Sequence, residues 1–191
     1  MEADRVLIEK FQKEQDKAAF DQLVIKHQDK VFNICYRFMG NYHDAGDCAQ
    51  DTFVKVFRSL KNFKFQSAFS TWLYRIAVNT CKSKLTSLGY RLSKMMVRID
   101  KGGTEEGDLP LEIKDTSLSP ESEFDKSEQS KQIQKAIDSL PADHKTVVVL
   151  CDIESLSYEE IVKVTGYNMG TVKSKINRAR ARLREKLRGL V

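Results

Sequence analysis

Apolar side chains recur every three to four residues through most of this 191-residue chain, which is the spacing of an amphipathic α-helix. One stripe covers residues 20–38 and stops at Gly40, a second covers residues 49–60, and a third covers residues 69–81. No segment alternates between apolar and polar residues over a length that would make a sheet strand. The pattern therefore predicts an all-α protein whose residues 1–93 fold as a compact helical bundle.

The helical pattern fails between residues 100 and 125. That stretch holds nine acidic residues and two lysines, a net charge of −7, and it holds five residues that interrupt helices, namely Gly102, Gly103, Gly107, Pro110 and Pro120. On either side, basic residues exceed acidic ones, by 15 to 10 in residues 1–93 and by 12 to 8 in residues 127–191. We therefore expect two small basic domains joined by a flexible acidic linker at residues 94–126.

The second domain carries the pattern of a helix-turn-helix. Ser157 is followed three residues later by Glu160, which is the spacing of a capping box at the start of a helix. Gly166 ends that short helix, and a longer basic helix begins near Met169 and runs to about Leu187. A short helix, a glycine-containing turn and a longer basic helix are together typical of DNA-binding proteins.

The outward face of the last helix suits the reading of base edges. At about 100° per residue the apolar residues of this helix share one arc. The opposite side carries Lys173, Ser174, Asn177 and Arg178. Such side chains suit hydrogen bonding in a major groove, and the flanking arginines and lysines suit phosphates. A solvated basic helix end is the alternative on charge alone, but the capped helix and glycine turn that precede it favour DNA reading.

Aromatic and basic residues are interleaved between residues 62 and 84, a composition that suits the stacking of unpaired bases. Phe63 and Phe65 lie in a short loop, where the helical pattern does not assign the rings to a core. Phe69 and Trp72 lie on the apolar stripe of the next helix, which alone makes them core residues. The segment therefore suggests single-stranded nucleic acid as a ligand.

The spacing of cysteines and histidines does not indicate a metal or catalytic site. Cys35, Cys48, Cys81 and Cys151 form no C-x-x-C pair, and each lies on or beside an apolar stripe. We expect small buried hydrophobes in a reducing cytoplasm rather than a redox or metal switch. No Walker-type loop or H-E-x-x-H motif occurs, and His27 lies on a core stripe, so we expect no enzyme activity and no cofactor. With no signal peptide and no apolar run of about 20 residues, we expect a cytoplasmic protein.

Two pairs of sequence blocks resemble the extracytoplasmic-function sigma factors of the sigma-70 family. Residues 47–53 (DCAQDTF) and residues 67–79 (SAFSTWLYRIAVN) are similar to domain 2 of that family. Residues 156–161 (LSYEEI) and residues 170–174 (GTVKS) are similar to domain 4. The likeness covers nearly the whole chain apart from the linker, and the blocks occur in the family's order.

The resemblance implies a factor that binds core RNA polymerase and directs it to promoters. The helix that would dock on the clamp helices of the largest subunit carries Asp47, Gln50, Asp51, Phe53, Val56 and Phe57. The minus-ten element, with one flipped base held by the loop at residues 63–70, would contact Phe63, Lys64, Ser67, Phe69, Ser70, Trp72, Arg75, Asn79 and Lys82. The minus-thirty-five element would contact Tyr158, Thr171, Lys173, Ser174, Asn177 and Arg178.

The resemblance also implies further partners. The acidic linker would thread the polymerase channel that nascent RNA otherwise uses, since its charge suits a cationic wall. An anti-sigma factor would hold the protein until a stress signal releases it, without direct membrane insertion of this chain. Lys175 stands where the family often has arginine, which weakens any bidentate phosphate contact there. The alternative function is a stand-alone helix-turn-helix regulator that binds an operator without polymerase.

Overall fold

The computed structural model describes residues 2–87, 89 and 120–188, and these residues form helices and no strand, as predicted. The N-terminal unit consists of α1 (Glu2–Glu14), α2 (Lys17–Met39), α3 (Tyr42–Leu60) and α4 (Phe69–Thr86). The C-terminal unit consists of α5 (Pro120–Asp138), α6 (Ala142–Val148), a π-helical turn (Val149–Ile153), α7 (Tyr158–Thr165) and α8 (Met169–Lys186). None of the helices in this part of the chain is long and apolar enough to cross a membrane.

Most of the predicted linker, residues 94–119, lies outside the described residues, including Gly102, Gly103, Gly107 and Pro110. Pro120 was expected to interrupt a helix, but it begins α5 instead. Proline is tolerated at the first position of a helix because its missing N–H has no partner there and its φ is already helical.

Helix α2 begins and ends at residues whose chemistry explains its bounds. The side chain of Asp16 accepts hydrogen bonds from the backbone N–H groups of Ala18 and Ala19. Gly40 ends the helix with a φ of +75°, the left-handed conformation that favours glycine, which confirms the predicted stop. A Cβ at this position would also lie 2.8 Å from a carboxylate oxygen of Asp138 in α5.

The predicted helix-turn-helix is confirmed in the C-terminal unit. Ser157 Oγ accepts a hydrogen bond from the Glu160 N–H at 3.2 Å, and Glu160 Oε2 accepts one from the Ser157 N–H at 2.9 Å. Gly166 ends α7 with a φ of +76°. Asn168 then caps α8 by accepting a hydrogen bond from the Thr171 N–H at 2.7 Å. These local contacts fix the turn between α7 and α8.

The two units pack against each other around a shared hydrophobic cluster. Leu73 of α4 and Ile161 of α7 are both fully buried and belong to the same cluster. Lys145 of α6 is also buried, and its Nζ donates to the Phe38 carbonyl at 3.4 Å and to Asp138 Oδ1 at 2.7 Å. Because Phe38 belongs to α2, this lysine joins the units through polar contacts as well as apolar packing.

Three of the four cysteines are buried and all four are free thiols, so the prediction of small buried hydrophobes is confirmed for Cys35, Cys48 and Cys81. Cys151 is half-buried. Hydrogen bonds with Cys35 and Cys48, together with burial, raise the pKa of the Cys81 thiol far above its ordinary value. Cys81 therefore stays protonated, which makes it a poor nucleophile.

Asp4 of α1 and His27 of α2 form a buried pair between these helices. His27 Nε2 lies 3.3 Å from Asp4 Oδ2, and Lys26 Nζ donates to Asp4 Oδ1 at 2.6 Å. Burial lowers the pKa of His27, and the nearby Asp4 carboxylate only partly opposes this. The unfolded chain therefore binds a proton on this imidazole at higher pH than the folded chain does.

We accordingly expect the free energy of unfolding to fall as the pH is lowered from about 7.5 to about 5.5, through the unfolded pKa of histidine. Replacing His27 by glutamine should remove part of this dependence, because the buried group can then no longer be protonated. Urea titrations at both pH values measure it, with the exposed His43→Gln variant as the control. An unchanged pH dependence in His27→Gln contradicts the assignment.

Candidate nucleic-acid interface

Helix α8 exposes a polar face where base-reading residues were predicted. Val172, Ile176 and Ala179 are buried and hold the helix against the rest of the unit. The opposite side exposes Lys173, Ser174, Asn177 and Arg178. Thr171 and Tyr158, the other two residues implied for this surface, are half-buried. The four exposed side chains place hydrogen-bond donors and acceptors on one side of a capped helix.

Aromatic side chains surround the loop between α3 and α4, and one of their rings faces solvent. Phe63 and Phe69 are only 7% and 5% exposed, so they support the loop from inside. Phe65 is 37% exposed and its backbone φ is +54°, a conformation that aromatic residues rarely adopt. Phe65 is absent from the contact set that the family resemblance implied, although it lies within the predicted loop.

Residues of this loop line two cavities. The first measures about 270 Å³ and is lined by the loop and by three residues of α1, namely Asp4, Arg5 and Ile8. The second measures about 390 Å³ and carries most of the nearby positive charge, from Lys64, Arg75 and Lys163. The predicted minus-ten residues of the loop thus line two cavities whose lining residues differ in charge.

The C-terminal unit partly covers the predicted DNA-contacting face of α4. Arg75 donates a hydrogen bond to the backbone carbonyl of Lys163 in α7. Lys82 Nζ lies 3.3 Å from Asp143 Oδ1 and 5.7 Å from the centre of the Tyr167 ring. These contacts use two of the cations that would otherwise face phosphates.

The remaining predicted residues near α4 differ in exposure. Lys64 and Asn79 are exposed. Trp72 is half-buried, and its ring lies 4.9 Å from the ring of Phe63, while Ser67 and Ser70 are also half-buried. Lys64 and Asn79 are therefore directly available to a ligand, whereas Trp72 also supports the loop.

Asp143 of α6 lies where cations of both units meet, a role that sequence reasoning missed. It accepts hydrogen bonds from the Tyr167 hydroxyl at 2.6 Å, from Lys175 at 3.0 Å and from Lys82 at 3.3 Å. The hydrogen bonds from Tyr167 and Lys175 are the main causes that lower the pKa of Asp143 to about 2. The carboxylate is therefore ionised at neutral pH. Lys175, where the family often has arginine, is occupied by this contact.

Helix α3 exposes three of its predicted polymerase-binding residues, Asp47, Gln50 and Asp51. Phe53 is half-buried, and Phe57 is exposed at one edge while its ring packs 5.3 Å from the ring of Phe11. A docking surface on this helix is therefore mostly polar, with an apolar edge.

Val56 was included among the polymerase-binding residues, but it is fully buried. It lies one helical turn from Thr52 and from Leu60, which are buried as well, so the inner stripe of α3 contains all three. The exposed valine of this helix is Val54, which sequence reasoning missed. We therefore correct the docking surface by removing Val56.

Within the described ranges, the side chains that could together hold a metal ion are those of His43, Asp44 and Asp47. Lys84 lies 3.9 Å from Asp44 and 3.2 Å from Asp47, so an ammonium group already balances these carboxylates. An exposed acidic cluster with its own lysine is better explained as a surface ion-pair network.

Comparison with known proteins identifies the family. Residues 23–89 match the model of Sigma-70 region 2, and residues 130–183 match that of Sigma-70, region 4. The chain is 40% identical to the RNA polymerase sigma-H factor of Pseudomonas aeruginosa, over 100% of this chain and 96% of that protein. It belongs to the sigma-70 family. This sigma factor is also 38% identical to the ECF RNA polymerase sigma-E factor of Haemophilus influenzae, over 98% and 97% of the two chains.

Solved structures share the fold of this sigma factor. CnrH, in complex with the cytosolic domain of CnrY, superposes with a TM-score of 0.67 at 24% identity over 98% of each chain. The sigma factor RpoE of Bartonella quintana, in complex with the anti-sigma factor NepR, gives 0.64 at 22% identity over 88% and 96% of the chains. The all-α fold and the extracytoplasmic-function family predicted from the sequence are thus confirmed, and such factors initiate transcription without being enzymes.

Proposed function

We propose that this sigma factor binds core RNA polymerase through α3 and reads two promoter elements, one with α4 and its preceding loop and the other with α8. The observation that carries the proposal is the exposed polar face of α8 on a capped helix-turn-helix. Lys173 and Arg178 suit guanine or phosphate, and Asn177 suits adenine. The names of the full-length relatives, RNA polymerase sigma factors, support polymerase as the partner.

For the minus-ten element, we propose that one non-template base leaves the stack and enters a cavity beside the loop. Flipping a base costs a few kcal/mol, which contacts in the cavity must offset. The exposed ring of Phe65 suits this task, since stacking of a base on an aromatic side chain contributes about 1–3 kcal/mol. Lys64 and Asn79 would then contact the strand next to that base.

Promoter binding by α4 requires the two units to move apart, because the C-terminal unit occupies Arg75 and Lys82 in the packed arrangement. Asp143 would be the main residue that opposes DNA binding by α4, since its carboxylate lies beside Lys82, where a DNA phosphate would otherwise lie. Polymerase binding would supply the free energy of separation by holding the two units at different sites.

We expect the Asp143→Asn variant of the free protein to bind minus-ten single-stranded DNA up to about fivefold more tightly than wild type. The variant loses the ion pair with Lys82, which crosses between the two units, and an exposed pair of this kind contributes about 0.2–1 kcal/mol. Fluorescence anisotropy with a labelled oligonucleotide measures the affinity. Asp152→Asn is the matched control, because Asp152 pairs with Arg180 inside the C-terminal unit. Equal affinities for all three proteins contradict the expectation.

We further propose control by an anti-sigma factor and a cytoplasmic location. The related RpoE was solved with its anti-sigma factor NepR, which supports a protein inhibitor of the same class here. The cytoplasmic location follows from the proposed partners, since core polymerase and promoter DNA are both found in the cytoplasm.

A pull-down separates this proposal from a stand-alone regulator. Tagged sigma factor should retain purified core polymerase, and the mixture should bind promoter DNA that neither component binds specifically alone. A free protein that dimerises, binds duplex operator DNA tightly and does not retain core enzyme would instead be a conventional regulator.

A further inference from the structure

The cavity between α1 and the loop is lined by a carboxylate that precedes the match to Sigma-70 region 2. Asp4 precedes residues 23–89, which match Sigma-70 region 2, yet it lines the cavity of about 270 Å³. Its side chain is 12% exposed, so it is largely enclosed by protein. A buried carboxylate on the wall of a cavity that would receive a base is placed to contact that base.

The Asp4 carboxylate is fixed in place and ionised. Lys26 donates to Oδ1 at 2.6 Å, and His27 Nε2 lies 3.3 Å from Oδ2. Burial alone would raise the pKa of Asp4, but the hydrogen bond from Lys26 and the charges nearby outweigh it and hold that pKa below its ordinary value. An ionised carboxylate only accepts hydrogen bonds, and its two oxygens offer about four sites, so acceptor capacity remains.

The other walls of this cavity suit a base rather than a phosphate. They carry the rings of Phe63, Phe65 and Phe69 and the side chains of Ser67 and Ser70. Flat aromatic walls with a few polar groups are suited to a planar heterocycle.

The two cavities also differ in the charge of the residues that line them. Among the described residues, the one cation that lines the first cavity is Arg5, whose guanidinium lies 5.4 Å from the centre of the Phe65 ring. The second cavity is lined by Lys64, Arg75 and Lys163, a set that suits the sugar-phosphate backbone. A strand can therefore follow the cations while one base enters the aromatic cavity.

We propose that Asp4 reads the flipped minus-ten base by accepting a hydrogen bond from an exocyclic amino group, and that it selects against thymine at that position. The inference rests on the proposed minus-ten recognition. Asp and Glu side chains accept from the cytosine N4 amino group. Thymine has no exocyclic amine and presents its O4 acceptor instead, so it would place oxygen against the fixed carboxylate.

The test compares thymine with 5-methylcytosine, since the two bases have the same shape and differ at the amino position. Core polymerase with this sigma factor is bound to a promoter on which it initiates, with the non-template strand unpaired at the minus-ten element. Each position in turn carries dT or 5-methyl-dC. At one position we expect the holoenzyme to bind the promoter with 5-methyl-dC about 5- to 100-fold more tightly than the promoter with dT, which is the range for one good contact. In the Asp4→Asn variant the ratio of these two affinities should be close to one.

Two variants separate base reading from a structural role of Asp4. Lys26→Gln removes the ammonium partner but keeps the carboxylate, so the preference should persist. Asp29→Asn, at an exposed aspartate of α2, should leave both preference and affinity unchanged. Loss of the preference in Lys26→Gln as well as in Asp4→Asn would show that Asp4 only links α1 to α2, and would overturn the proposal.

A second measurement uses the wild-type protein, in case Asp4→Asn does not fold. 5-iodo-dC at the selected position should cross-link on irradiation to a peptide of α1 or of the loop at residues 63–70. Cross-linking to α8 alone, or an equal affinity of the wild type for dT and 5-methyl-dC at every position, overturns the role of Asp4. Failure of the holoenzyme to bind any unpaired minus-ten strand would overturn the proposed minus-ten recognition itself.

Discussion

Replacement of Asp51 by arginine is expected to weaken binding of this sigma factor to core RNA polymerase about tenfold or more, and to reduce promoter-dependent transcription in proportion. Asp51 is exposed on α3, the helix proposed to dock on the polymerase clamp. We expect a cation of the polymerase opposite this carboxylate, so charge reversal would place like charges opposite each other, which costs several kcal/mol. Titration of labelled core enzyme with each variant measures the dissociation constant.

Glu14→Arg is the matched control for this substitution, because it reverses an exposed acidic residue on α1 with the same change in net charge. Both variants should keep the helicity and melting temperature of the wild type, since neither side chain belongs to the core. If Asp51→Arg and Glu14→Arg bind core enzyme equally well, α3 is not the docking helix.

Replacement of Asn177 by alanine is expected to change the base preference at one position of the minus-thirty-five element. Asn177 is exposed on the outward face of α8, and an asparagine that forms two hydrogen bonds to adenine contributes about 1–3 kcal/mol of discrimination. The ratio of affinities for adenine and other bases at that position should therefore fall about 5- to 100-fold. Competition binding of the holoenzyme to promoters varied at single positions measures the ratio.

Arg182→Ala supplies the contrast, because Arg182 is exposed on the same helix but is not among the predicted base-reading residues. Loss of a phosphate contact should weaken binding to all promoter sequences alike and reduce its dependence on salt. A uniform loss of affinity in Asn177→Ala, with every base preference preserved, would mean that Asn177 contacts the backbone rather than a base.

The helices and their ends could be predicted because their signals are local. Ser157 and Glu160 lie within one turn, and Gly40 stops α2 through its own backbone conformation, so neither depends on distant parts of the chain. The outward face of α8 followed from helical period alone. The inclusion of Val56 in the docking surface was an avoidable error, since the same period places it with Thr52 and Leu60 on the buried side.

The contacts that join separate helices could not be predicted. Asp143 meets Lys82 only because the two units pack together, and it meets Lys175 only because α6 packs against α8. The separation of these residues in sequence gives no sign of either contact. The same holds for Asp4, whose position in the loop cavity depends on how α1 crosses α2. Such residues look like ordinary surface charges in the sequence, because charged residues are mostly solvated.

Run-off transcription with purified core polymerase shows whether this sigma factor selects the promoters that the polymerase uses. The mixture of core enzyme and this sigma factor should initiate at a defined set of sites in a genomic template library. Those sites should share two sequence elements at a constant spacing, and core enzyme alone should not use them. Initiation at the same sites with and without this chain, or at none, would mean that the chain does not select promoters.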